Sequence, residues 1–137
     1  EVAKAFTPGT HGSTYAGHAV ACAAALASVT EILDKDLSGN ARRVGRYLRQ
    51  ELAKLPHVKE VRGKGLLVGC EYDLPIAVEV KHEALERKVL FTAIGDQVNR
   101  MIPPLIASKK DVDQLIRVMR ESIDEAAAKY LDMKMAG

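Results

Sequence analysis

From about Gly17 to Leu33 the chain carries a helix with almost no polar side. Alanine, the strongest helix former, dominates it. Ala19, Val20, Cys22, Ala24, Ala25, Leu26, Val29, Ile32 and Leu33 spread apolar groups nearly all the way around. A surface helix buries one stripe, whereas a helix apolar on every side has to be covered on several. A chain of 137 residues is long enough for one compact domain with a real core. Such a domain has little to spare for wrapping a helix, so the sequence predicts a covering partner domain or subunit. The opening Glu1-Val2-Ala3-Lys4, without an initiator methionine, also reads as part of something longer.

Beyond this helix the hydrophobic period alternates between helical and extended. Ser38 to Leu55 places Val44, Tyr47, Leu48, Leu52 and Leu55 at helical spacing. Val58–Arg62 and Leu66–Tyr72 read as extended, joined tightly through Gly63-Lys64-Gly65. After a break at Asp73-Leu74-Pro75, Ile76–Lys88 reads as a helix with Ile76, Val80, Ala84 and Leu85 inward. Val89–Thr92 reads as a strand, Gly95-Asp96 as a turn, and Val98–Ile102 as the last strand, stopped by Pro103-Pro104. Ser108-Lys109-Lys110-Asp111 opens the final helix with a capping-box pattern. Its core face would be Val112, Leu115, Ile116, Met119 and Ile123, with Asp132–Gly137 fraying. The expected fold class is α+β: a small antiparallel sheet of three to four strands covered by helices, preceded by a long helix. The expected division is an approach segment and loop over 1–16, then the small domain with its leading helix over 17–137.

Charge narrows the function classes. Twenty Lys and Arg against eighteen Asp and Glu leave a net charge of +2, with no strong pull toward nucleic acid or an anionic membrane. Aromatics are too few for a base-stacking surface. Arg42, Arg43, Arg46, Arg49 and Lys54 on the second helix fit a solvated face better than a nucleic-acid footprint. Cys22 and Cys70 stand far apart in apolar runs, without metal or redox spacing, and read as small buried hydrophobes. No signal peptide is visible, and the apolar run Ala19–Ala27 is too short to span a bilayer. The default expectation is a soluble cytoplasmic protein that binds neither nucleic acid nor membrane.

Two places could carry chemistry. Gly9-Thr10-His11-Gly12-Ser13-Thr14-Tyr15-Ala16-Gly17 sets hydroxyls and small residues before the long helix, whose first turn leaves backbone N–H groups unpaired. Such a place suits a phosphate. The alternative is an ordinary N-cap and its approach. The second is Arg100, a charge within the apolar strand that ends at Pro103-Pro104. A guanidinium fixed there suggests a carboxylate gripped by two parallel hydrogen bonds. Its alternative is an outward arginine alternating with inward Val98 and Ile102. His11, His18, His57 and His82 lie at no ligand or triad spacing, and His11 fits packing or backbone hydrogen bonding. Asp34 with Asp36, and Asp111 with Asp113, look solvated. Gly63-Lys64-Gly65 followed by Gly69 nearly spells a dinucleotide fingerprint, but a strand-like run follows where that motif needs a helix.

Phe6-Thr7-Pro8-Gly9-Thr10-His11-Gly12-Ser13-Thr14-Tyr15, followed by Ala21-Cys22-Ala23-Ala24-Ala25-Leu26, resembles the start of the C-terminal third of a class III aminotransferase. The resemblance is nearest to acetylornithine and ornithine aminotransferases. It continues through Val61-Arg62-Gly63-Lys64-Gly65-Leu66 and Asn99-Arg100-Met101-Ile102-Pro103-Pro104-Leu105-Ile106 to the last helix. After Tyr15 the chain departs from the family, with Ala16, Gly17, His18 and Ala19 where two glycines, an asparagine and a proline are usual.

The resemblance implies the C-terminal domain of a fold type I transferase using pyridoxal 5′-phosphate (PLP), working as a homodimer on amino-acid and 2-oxo-acid substrates. It implies that Thr14, with Ser13 beside it, binds the cofactor phosphate of the neighbouring subunit, and that Arg100 binds a substrate carboxylate. The lysine that would form a Schiff base, and the acid that would hold the pyridinium nitrogen, belong in that family before the segment matching Phe6–Tyr15. Lys4 precedes Thr14 by too little to be that lysine. The chain alone is therefore expected to be catalytically silent. A rival expectation is a stand-alone α+β interaction or ligand-binding module whose apolar first helix is a dimer interface.

Overall fold

The computed structural model describes residues 1–136. The chain forms two compact units, Glu1–Lys35 and the segment from Asp36 onward.

The first unit consists of a single 3₁₀ turn at Val2–Ala5, an irregular loop and helix α1 (Ala19–Asp34). Gly9 and Gly17 turn the loop at φ of +88° and +75°. The helix starts two residues later than expected, because Gly17 takes a left-handed conformation and His18 an extended one. None of the residues of α1 is buried, and Val20 and Leu33 are each 71% exposed. Cys22 rides on this helix and is exposed, not the small buried hydrophobe expected.

The second unit holds helices α2 (Leu37–Leu52), α3 (Ala77–Glu86) and α4 (Lys109–Met135), and strands β1 (Val58–Lys64), β2 (Leu67–Tyr72), β3 (Thr92–Ile94) and β4 (Val98–Met101). The strands form one antiparallel sheet in the order β1-β2-β4-β3. This is the α+β arrangement of a small antiparallel sheet covered by helices that the sequence predicts. One face is buried: Val68, Cys70 and Tyr72 of β2 and Met101 of β4 join Leu48, Leu52, Val80, Met119 and Ile123 of the helices in one core. Side chains alternate along a strand, so the residues between them form the open face.

Local chemistry sets the boundaries. Asp36 caps α2, its carboxylate accepting from the Gly39 N–H at 3.0 Å. The β1-β2 turn presses on the same helix: a Cβ at Gly45 would lie 1.8 Å from the Gly65 carbonyl oxygen, and Arg49 donates to that oxygen at 3.0 Å. Ser108 and Asp111 close the expected capping box at the start of α4. This helix stays regular to Met135 where fraying was expected from Asp132; Gly137 lies outside the described residues. Its core face is Val112, Val118, Met119, Ser122, Ile123, Ala126 and Ala127, with Leu115 and Ile116 only partly buried.

Two further expectations shift. The strand anticipated at Val89–Thr92 begins at Thr92, because the Val89 N–H still bonds the Ala84 carbonyl at the end of α3. Leu85, expected inward, is 47% exposed.

Candidate functional site

The loop of the first unit is organised by its own polar groups. The Thr7 N–H donates to Thr10 Oγ1 at 3.1 Å, and that hydroxyl donates back to the Thr7 carbonyl at 2.7 Å. This closes the turn around Pro8 and Gly9. His11 meets the Phe6 ring edge-on at 5.9 Å, the packing role expected of it. The Ser13 and Tyr15 carbonyls accept from the Ala16 and His18 N–H groups, each at 3.3 Å. Ser13 and Thr14 are exposed, and their hydroxyls have no hydrogen-bond partner among the described residues.

The N-cap of α1 is His18, and no side chain caps the helix. Neither Ser13 nor Thr14 is therefore the N-cap of the alternative reading. What the loop offers is two adjacent uncommitted hydroxyls on a segment bent by glycines, a donor set that suits phosphate oxygens.

In the second unit the sheet decides where Arg100 points. Asn99 and Met101 are buried against the helices, so Arg100 between them emerges on the open face and is exposed. The guanidinium is not enclosed in an apolar strand: it points outward, as the alternative reading has it. That reading needs correction only in its neighbours, since Val98 lies on the same side of β4 as Arg100, residues two apart sharing a face, and β4 ends at Met101, before Ile102. Ile102 is 63% exposed. Arg100 has no acidic partner among the described residues.

Across the open face the register aligns Arg62 of β1, Gly69 of β2, Arg100 of β4 and Thr92 of β3 in one row. Arg62 is engaged by Glu71 at 2.6 Å and Glu60 at 3.2 Å. Lys59 also reaches Glu71, at 2.8 Å. The hydrogen bonds from Lys59 and then Arg62 hold the Glu71 carboxyl below its ordinary range, and the bond to Glu71 raises Arg62 in turn. Arg100 is left as the uncompensated guanidinium of this row. Motif reading did not single out the Lys59–Glu71–Arg62 cluster, and it met Gly69 only as part of a near-match to a dinucleotide fingerprint. The alternation of charges in Lys59-Glu60-Val61-Arg62 could have flagged the cluster, but the place of Gly69 beside Arg100 becomes visible only with the register.

No metal-holding group of three or more His, Cys, Asp or Glu occurs among the described residues. None of the described helices is long and apolar enough to cross a membrane.

Comparisons with known proteins match the sequence and the fold of the chain. The family model for aminotransferase class-III matches residues 1–123. The chain is 37% identical over 124 residues to an acetylornithine aminotransferase of Caldanaerobacter subterraneus subsp. tengcongensis, covering 88% of this chain and 32% of that protein. It is 39% identical over 125 residues to ornithine aminotransferase 2 of Staphylococcus aureus, covering 88% and 31%. Among solved structures it resembles an ornithine aminotransferase from Toxoplasma gondii, described with partial occupancy of PLP at its active site. The TM-score is 0.80 at 31% identity, over 93% of this chain and 32% of that one. The chain thus spans about a third of the length of the relatives it matches. On this footing the chain belongs to the class III aminotransferases, a family of PLP-dependent transferases.

Proposed function

We propose that the chain supplies the C-terminal part of an enzyme that moves the terminal amine of N-acetylornithine to 2-oxoglutarate, a step of arginine biosynthesis. The observation that carries the reading is Arg100: an uncompensated guanidinium on the open sheet face, just before Pro103-Pro104, in a chain of aminotransferase ancestry. A planar guanidinium grips a carboxylate through two parallel N–H donors, and 2-oxoglutarate brings two carboxylates. Ser13 and Thr14, with free hydroxyls, would hold the cofactor phosphate across the subunit boundary of a homodimer in the cytoplasm. Bound PLP supplies the electron sink that stabilises charge at the carbon losing its proton. Within this chain the work is binding and orientation, and the chain alone is inactive.

Ornithine is the second reading of the amino donor, supported by the equal coverage of the Staphylococcus aureus relative. The stand-alone module is disfavoured by a family match running from residue 1 to residue 123.

The test is a donor panel on the full-length enzyme. N-acetylornithine, ornithine, succinylornithine and γ-aminobutyrate are each offered with 2-oxoglutarate while glutamate is measured. Acetylornithine should give the highest kcat/KM, and Arg100→Ala should raise the KM for 2-oxoglutarate at least tenfold. Preference for another donor would replace the substrate assignment. An unchanged KM in the variant would remove Arg100 from the site.

A further inference from the structure

The row Arg62–Gly69–Arg100 contains a residue that neither folding nor packing explains. Glycine inside a strand sacrifices conformational entropy and side-chain packing, and where it persists it often marks the close approach of a ligand or another backbone. Gly63 illustrates a structural need, with φ at +144° and a Cβ that would fall 2.1 Å from the Leu67 carbonyl oxygen. Gly69 shows neither feature. Its backbone lies outside the left-handed region, and a Cβ there would find only ordinary contacts, Arg62 Cγ at 3.8 Å on one side and Val98 Cγ1 at 3.9 Å on the other. The bare position stands beside Arg100 in register, on the face where Arg100 has no partner.

We infer that Gly69 sets acceptor specificity, its missing side chain being the berth through which a dicarboxylic 2-oxo acid reaches the Arg100 guanidinium. Side chains stand roughly perpendicular to a sheet, and adjacent strands lie about 4.8 Å apart. Any side chain at position 69 would therefore rise next to that of Arg100 and occupy the approach. The electrostatics of the row point the same way. Arg62, on the far side of the berth, is committed to Glu60 and Glu71, so an entering carboxylate is directed to Arg100. Glu71, on the same face, would repel the anion if bare, but it is matched by Lys59 and Arg62. The inference rests on the reading of Arg100 given above and adds the neighbour that keeps its site open.

The experiment uses the full-length enzyme with Gly69→Ala, Gly69→Val and Arg100→Ala. The readouts are kcat and KM for 2-oxoglutarate, the dissociation constant of the unreactive dicarboxylate glutarate, and the Tm. Gly69→Val should weaken glutarate and raise the KM at least tenfold while kcat stays within threefold and the Tm does not fall. Gly69→Ala should show a smaller change in the same direction, at least threefold. Should the valine variant not fold, the alanine variant decides by the same threefold criterion. Glutarate binding and KM like the wild type in the Gly69 variants, with binding lost in Arg100→Ala, would overturn the inference and leave the Arg100 reading standing. Wild-type glutarate binding in Arg100→Ala would remove both. A Tm lowered by Gly69→Ala with glutarate binding unchanged would show that the position faces polypeptide, and would also overturn the inference.

Discussion

The Tyr72 hydroxyl donates to Asn99 Oδ1 at 2.7 Å, in a core where both residues are fully buried. Asn99 in turn donates through Nδ2 to the Ala77 carbonyl at 2.8 Å, at the start of α3. Burial pushes the Tyr72 phenol upward, so it remains a neutral donor. The pair fixes which side of β4 faces the helices, and thereby turns Arg100 to the open side. Removing one partner leaves buried polar atoms unmatched at about 1–3 kcal/mol. Asn99→Ala should lower the unfolding free energy in urea by about 2–3 kcal/mol, and Tyr72→Phe by less.

At Gly45 the obstacle is backbone. The Gly65 carbonyl oxygen would sit 1.8 Å from a new Cβ, and no side-chain rotation can relieve that. Gly45→Ala should therefore destabilise the chain by about 2–3 kcal/mol even though alanine favours a helix. A thermal melt that instead rises on substitution would show that the β1-β2 turn moves freely away from α2.

The two thiols should report folding separately. Cys22 is exposed, whereas Cys70 is buried with its thiol pushed up to about 12 by desolvation. In the chain by itself, without the partner expected to cover α1, a thiol reagent at neutral pH should label one cysteine within minutes and the second only on unfolding. Peptide mapping should place the fast site at Cys22.

Glu83 receives Lys129 at 2.6 Å and Arg87 at 2.8 Å, and these hydrogen bonds, that of Lys129 foremost, lower its carboxyl to about 2. A carboxyl depressed in the folded state contributes stability that is complete above its unfolded value, near 4.5, and is lost as pH falls toward 2. Stability should decline across that window. Lys129→Met should flatten the decline, as followed by circular dichroism in urea at stepped pH.

In the full-length enzyme, Thr14→Val should weaken PLP retention at least tenfold during dialysis, and Thr14→Ser should restore most of it. The expectation follows from an exposed hydroxyl without an internal partner. Equal retention in all three proteins would move the phosphate elsewhere.

Much of the fold was legible because hydrophobic period survives burial on one face. The spacing of Val44, Leu48 and Leu52 located α2, and Ser108 with Asp111 located the start of α4. The apolar triplet Val89-Leu90-Phe91 misled because composition does not show where pairing begins; Leu90 is 82% exposed. Cys22 misled because apolar neighbours in sequence imply burial only where something covers the helix. For the candidate site, Thr14 and Arg100 could be named from motif, but the parity of Arg100 against Asn99 and its alignment with Gly69 depend on strand pairing. Pairing is a long-range property that no local window contains.

The ends of the sheet bear on how this chain meets other polypeptides. One outer strand, β3, has three residues, and the other, β1, is irregular between Val58 and Glu60 and carries Lys59 and Lys64. Brief, kinked or charged borders make poor templates for an added strand. Recruitment by backbone ladder is thereby discouraged at both margins, and companions are steered to meet the molecule broadside, through side chains.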